Sequence, residues 1–113
     1  MQEIKAYIKS HKLEAVTLAL HRVSGISGMS VSDVRGFGRS KAHPRVGHPI
    51  DGTADLVNHV KIEIVCQDQY VDEVIQVLKA VAHTGLRGDG RIFVSDVRRA
   101  IRIQDGSEDD TVS

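Results

Sequence analysis

One cysteine, two prolines, no tryptophan and 4% aromatic residues leave this 113-residue chain with few of the usual means of fixing a fold. The lone Cys66 excludes an intrachain disulfide and fits a reducing compartment. Lys plus Arg and Asp plus Glu stand at 15 each, so the formal net charge is zero. A basic field that would attract nucleic acid is therefore absent, as is the acidic excess of a disordered chain. No apolar stretch approaches the ~20 residues of a membrane helix. The first residues alternate charged and apolar groups and lack a signal-peptide core, so a cytoplasmic location is expected. A chain this short makes one domain, residues 1–113, with a large surface for its volume. Burying a further face by self-association would relieve that, and an oligomer is expected.

What is present reads as one unit written twice. Ile4, Ala6 and Ile8 alternate with Lys5, Tyr7 and Lys9, the period-two pattern of a half-buried strand. Ser10 offers a cap for a helix over residues 12–24, where Leu13, Val16, Leu20 and Val23 recur at spacings of three and four beside Ala19. Gly25 stands where a left-handed C-terminal stop would sit. A second strand follows over residues 29–37, with Val31 and Val34 as its β-branched members. The second half repeats the order. Val60, Ile62 and Ile64 alternate with Lys61 and Glu63; Asp68 can cap a helix with the stripe Val71, Val74, Ile75, Leu78, Val81 and Ala82; Gly85 ends it. Residues 91–97 read as a strand, and residues 100–104 as a short final one. Two strand–helix–strand units in tandem predict an α+β, ferredoxin-like double βαβ fold, with an antiparallel sheet and both helices on one face. Other subunits are the simplest cover for the opposite face. Residues 105–113, with Glu108, Asp109 and Asp110, read as a flexible acidic tail.

Residues 38–59 break the repeat. This connection of roughly twenty residues far exceeds the usual four to six, and it carries Pro44, Gly47, Pro49 and Gly52 with little apolar periodicity. Loops of that length tend to carry function.

Several segments could hold a ligand. Gly36-Phe37-Gly38-Arg39 permits either a strand-end bulge or a close backbone approach to a ligand. In Thr84-Gly85-Leu86-Arg87-Gly88-Asp89-Gly90-Arg91, three glycines leave backbone N–H groups for an anion that Arg87 and Arg91 can neutralise. The alternative is a helix stop followed by a turn. It is not a Walker A loop, because no Gly-Lys-Ser/Thr follows and the helix precedes it. Arg98, Arg99 and Arg102 come close behind, and a strand-borne arginine presents a pre-organised fork to phosphate. His43, His48 and His59, with Asp51 and Asp55, are types that bind zinc or copper, though without the spacing of a compact zinc motif. Cys66 reads as a small buried residue. No catalytic set stands out, since the Gly-x-Ser-x-Gly elbow is missing.

In order and spacing these pieces resemble the PII signal-transduction family over nearly the whole chain. The matching stretches are Ile4-Lys5-Ala6-Tyr7-Ile8-Lys9, Gly28-Met29-Ser30-Val31, Gly36-Phe37-Gly38-Arg39, Val60-Lys61-Ile62-Glu63-Ile64-Val65, Thr84-Gly85, Gly88-Asp89-Gly90-Arg91-Ile92-Phe93-Val94 and Ala100-Ile101-Arg102-Ile103. The resemblance implies a homotrimer with ATP or ADP in clefts between subunits. It places the adenine near Ile8, Gly28, Met29, Ser30, Gly36, Glu63 and Val65. It places the phosphates near Phe37, Gly38, Arg39, Gly88, Asp89, Gly90, Arg91 and Arg102, and counts Thr84 among the nucleotide-binding residues. Residues 38–59 then correspond to the family's T-loop, which docks on transporters, enzymes or regulators.

Departures from the family narrow the expectation. No tyrosine for uridylylation lies in residues 38–59. Ser40 and His59 replace a glutamine and a lysine that usually hold magnesium and 2-oxoglutarate, which puts sensing of that acid in doubt. Gln104 replaces a phosphate-facing arginine; loss of such a charge-assisted contact weakens binding by roughly 1.5–3 kcal/mol and favours fewer phosphates, AMP included. The run from Met29 to Arg39, with Val65-Cys66, is similar to a divergent PII-like branch encoded beside heavy-metal efflux pumps, other members lying beside bicarbonate transporters. The expected protein is thus a non-enzymatic, nucleotide-binding regulator of a membrane transporter. Two other readings stay open: a trimeric metal module built on His43, His48 and His59, and a slow nucleotide hydrolase in which Glu63 or Asp89 orients water.

Overall fold

The computed structural model describes residues 1–26, 28–37 and 56–108. Most of the long connection, with Gly38, Arg39, Ser40, His43 and His48, lies outside them, as does the tail beyond residue 108. In chain order the elements are β1 (Gln2–Ile8), a 3-10 turn (Ser10–Lys12), α1 (Leu13–His21), β2 (Ser30–Gly36), β3 (Val57–Cys66), α2 (Asp68–Ala82) and β4 (Arg91–Asp96). The strands form one sheet of order β2-β3-β1-β4 in which every pair is antiparallel. This is the expected α+β, ferredoxin-like split βαβ fold.

The period-two pattern fixes which face is buried. Ile4, Ala6 and Ile8 of β1 lie opposite Ile64, Ile62 and Val60 of β3, and all six are at most 2% exposed. Val16 and Leu20 of α1 and Val71, Val74, Leu78 and Ala82 of α2 close over them. Cys66 belongs to the same core, and burial pushes its thiol pKa up, so it stays protonated. The other face presents Lys5, Tyr7, Lys61, Glu63, Val65 and Phe93. There the rings of Tyr7 and Phe93 meet edge to face, 6.1 Å between centroids. No described helix or strand covers that face.

Local expectations about helix ends needed correction. Ser10 is not a cap: it opens the 3-10 turn, and the Leu13 amide donates to its carbonyl. Helix α1 stops at His21, short of residue 24. Gly25 is not left-handed; a Cβ there would lie 2.1 Å from Cγ of Tyr70, so glycine is required by the approach of the α2 ring. Asp68 caps nothing either. Its carboxylate takes the Met1 ammonium at 2.6 Å, while Gln67 is the residue that precedes the helix. Gly85 is left-handed (φ 79), but α2 already ends where His83 turns extended.

The expected strand at residues 100–104 does not form. The Val97 amide donates to the Met1 carbonyl, but the chain beyond it pairs with neither edge strand, β2 or β4. The arm instead closes on itself: Arg102 and Ser107 pair through the Arg102 amide at 2.9 Å, and the Gly106 amide donates back to the Arg102 carbonyl at 2.8 Å. Glu108, expected in a solvated tail, holds Arg99 through two bonds of 2.5 and 3.1 Å.

Two substitutions check this packing. Ile62→Ala removes a fully buried side chain from the sheet centre and is expected to cost about 2–5 kcal/mol in urea denaturation; a loss below about 1 kcal/mol would contradict the core described. Gly25→Ala should lower the melting temperature, because the Tyr70 clash outweighs the ~0.4–1 kcal/mol usually gained by removing a glycine from the unfolded chain.

Candidate functional site

The segment from α2 to β4 must reverse direction to bring β4 alongside β1, and glycines make the reversal possible. Gly88 and Gly90 adopt φ of 81 and 98, where side chains are disfavoured. At Gly90 a Cβ would fall 1.7 Å from the Tyr7 carbonyl oxygen, so the loop lies directly against the end of β1.

A carboxylate holds the loop closed. Asp89 Oδ2 accepts the Thr84 amide at 2.9 Å and the Gly85 amide at 3.0 Å. Asp89 Oδ1 accepts the Thr84 hydroxyl and lies 3.3 Å from Lys9 Nζ. The Thr84 oxygen in turn accepts from Lys9 Nζ at 3.0 Å and from the Leu86 amide at 3.1 Å. These donors favour the charged carboxylate, the Thr84 hydroxyl first, and hold the Asp89 pKa well below the usual carboxylate range. His59, at the start of β3, bonds the Gly88 carbonyl through Nε2 at 2.9 Å; since a carbonyl can only accept, this nitrogen carries the proton.

With the amides of Thr84, Gly85 and Leu86 used internally, those of Arg87, Gly88, Asp89 and Gly90 have no partner among the described residues. Successive amides around left-handed glycines form a concavity suited to an anion, and Arg87 and Arg91 are exposed beside it. A cavity of about 270 Å³ adjoins the loop, gathering Ile8, Asp89, Gly90 and Arg91 with the apolar side chains of Leu78 and Ile92.

The remaining predicted residues divide by position along the strands. Ile8, Gly36, Phe37, Thr84 and Gly88 to Arg91 belong to the end of the sheet where β1 and β2 finish and β3 and β4 begin. Gly28, Met29 and Ser30 sit at the start of β2, with Ser30 opposite Glu63, while Val65 lies near the end of β3. The seven residues of β2 separate those groups by about 20 Å at ~3.3 Å per residue. Arg102 follows β4 out of that far end and contacts Asp105 at 3.8 Å within the arm. Within one chain the predicted residues thus fall into two groups at opposite ends of the sheet.

Lys9 was missed as a site residue. Its sequence signal is weak: it reads as the last polar position of a strand, 75 positions from the Thr84 it bonds. Glu63 pairs with Lys61 at 3.3 Å. His59 is engaged by Gly88, His43 and His48 lie outside the described residues, and no group of three metal-ligating side chains gathers among the described residues.

The family described as Nitrogen regulatory protein P-II matches residues 1–107. The chain is 47% identical over 110 residues to nitrogen regulatory protein P-II 1 of Escherichia coli (strain K12), covering 97% of each chain. Over the same length and coverage it is 47% identical to nitrogen regulatory protein P-II of Klebsiella oxytoca and 46% identical to that of Pasteurella multocida (strain Pm70).

The Asp89 contacts carry a pH signature. A carboxylate whose folded pKa is depressed stabilises the fold fully above its unfolded pKa, near 4, and loses that contribution as pH falls toward the folded value. Melting temperatures between about pH 5 and pH 2 should therefore fall more steeply for the wild type than for Asp89→Asn; parallel curves would show that the contacts add nothing.

Proposed function

The chain belongs to the P-II family, and from that premise we propose that it is a homotrimeric signalling protein that binds an adenine nucleotide between subunits. Occupancy is reported to a membrane transporter through residues 38–59. One observation carries the nucleotide reading: four consecutive amides, from Arg87 to Gly90, without a partner among the described residues and flanked by two exposed arginines. Oligophosphate is the ligand class that such a concavity and such charges recognise together. The division of the predicted site supports assembly between copies. Arg102 and the amide loop, both assigned to phosphate, lie at opposite ends of one chain, so a second copy must supply one of them. The uncovered sheet face, with Tyr7, Val65 and Phe93, supports the same association.

The proposed signal passes through the loop's base. A nucleotide seated at Gly88–Gly90 touches the residue whose carbonyl His59 holds, and His59 lies two residues after the chain rejoins the sheet at Val57. Binding there shifts the population of loop conformations, and a partner that prefers one of them reads the nucleotide. His59 and Glu63 already hold partners of their own, which favours the sensor over the metal module and the hydrolase. The transporter class rests on the likeness of the stretch from Met29 to Arg39 to proteins encoded beside efflux pumps.

Calorimetric titration with ATP, ADP and AMP, with light scattering for mass, tests the proposal. The expected result is a trimer taking one nucleotide per chain; a monomer, or no binding at millimolar nucleotide, would overturn it. Arg102→Ala should leave the trimer intact and weaken ATP by roughly 10- to 100-fold, as loss of one charge-assisted bond does. Unchanged affinity would place the phosphates elsewhere.

A further inference from the structure

Asp89 lies inside the segment assigned to phosphate, yet both of its oxygens are already taken. Two backbone amides, a hydroxyl and an ammonium group converge on them. A bare carboxylate there would repel a phosphate; here Lys9 cancels its charge, leaving Arg87 and Arg91 to set the local field. The Thr84 hydroxyl is equally committed: it donates one bond and accepts two, its full capacity.

We infer that Thr84, Asp89 and Lys9 are positioning residues of the nucleotide site, whose side chains shape the Arg87–Gly90 amides before ligand arrives, and that the Asp89 carboxylate is not itself a nucleotide ligand. This rests on the nucleotide reading above. Asp89 ties the loop's exit to its entrance at Thr84 and Gly85, so the three residues between them close into a fixed arc. Using up the first three amides directs the ligand to the next four. His59 adds a further restraint. In a trans peptide the carbonyl and the following amide point in opposite directions, so holding the Gly88 carbonyl aims the Asp89 amide to the other side. A loop already in its binding shape saves the ordering cost that a mobile one incurs on association.

Thr84→Val, Thr84→Ser and Asp89→Asn, titrated with ATP, separate this from a direct contact, with amide hydrogen exchange read in the nucleotide-free proteins. Thr84→Val is expected to weaken ATP about tenfold or more, Thr84→Ser to stay within about twofold of wild type, and Asp89→Asn to weaken it as Thr84→Val does. The Thr84 and Gly85 amides, protected in the wild type, should exchange faster in Asp89→Asn. Wild-type affinity in Thr84→Val and Asp89→Asn would overturn the inference alone. So would weak binding in Asp89→Asn with Thr84→Val unaffected, the mark of the Asp89 carboxylate as a direct ligand. If the wild type binds no nucleotide, the functional reading itself fails, and the positioning role with it.

Discussion

The pairing of β1 with β3 at the centre of the sheet is the constraint on which the other elements depend. Each strand commits alternate residues to one face, and the register places Ile4, Ala6 and Ile8 against Ile64, Ile62 and Val60. A slip of one residue in either strand would turn that strand's three apolar side chains to the opposite face. With the register set, both helices are confined to the buried side. The chain ends and connections then gather at the two ends of the sheet. The Gly-rich loop lands against Tyr7 and Lys9 because β1 ends there, and His59 meets Gly88 because β3 begins there.

That geometry makes the chemistry local and shared at once. Within one chain the loop is finished: its entrance, its exit and its charge balance are settled by Thr84, Asp89 and Lys9. On the proposed reading, the rest of a nucleotide's surroundings comes from a second chain. Ser30, Glu63 and Val65 line the opposite face of the sheet, and Arg102 leaves on an arm that closes upon itself. Two copies arranged with the loop end of one against the arm end of the other would supply both halves, and three such contacts close a ring.

Period-two alternation and the 3.6-residue stripes were enough to read the strand and helix order, the buried face and the split βαβ topology, because burial of one face dictates both patterns. What stayed hidden depends on contacts between distant residues. Gly25 looks like a helix stop until Tyr70, on another helix, is seen against it. Asp68 has the makings of a cap, but the chain's own N-terminus takes its carboxylate. Alternating apolar residues at 100–104 suggest a strand, but the backbone there bonds within its own arm, Arg102 with Ser107 and Gly106, instead of to a sheet edge. At the site, the glycines, Asp89 and the arginines could be picked out, whereas the inward turn of Asp89 and the part played by Lys9 could not. Both arise from tertiary hydrogen bonds that no spacing encodes.

The account turns on one site being built from two chains, and mixed assembly measures that directly. A Gly88→Ala chain disables the amide loop, and an Arg102→Ala chain disables the arm; each homo-oligomer should bind ATP weakly. When the two are unfolded together and reassembled in equal amounts, random mixing should regenerate about a quarter of the interfaces with both halves intact. Recovery of that fraction of wild-type-affinity ATP sites in the mixture is the predicted result. No recovery from a demonstrably mixed oligomer would show that each chain holds its nucleotide alone, or not at all.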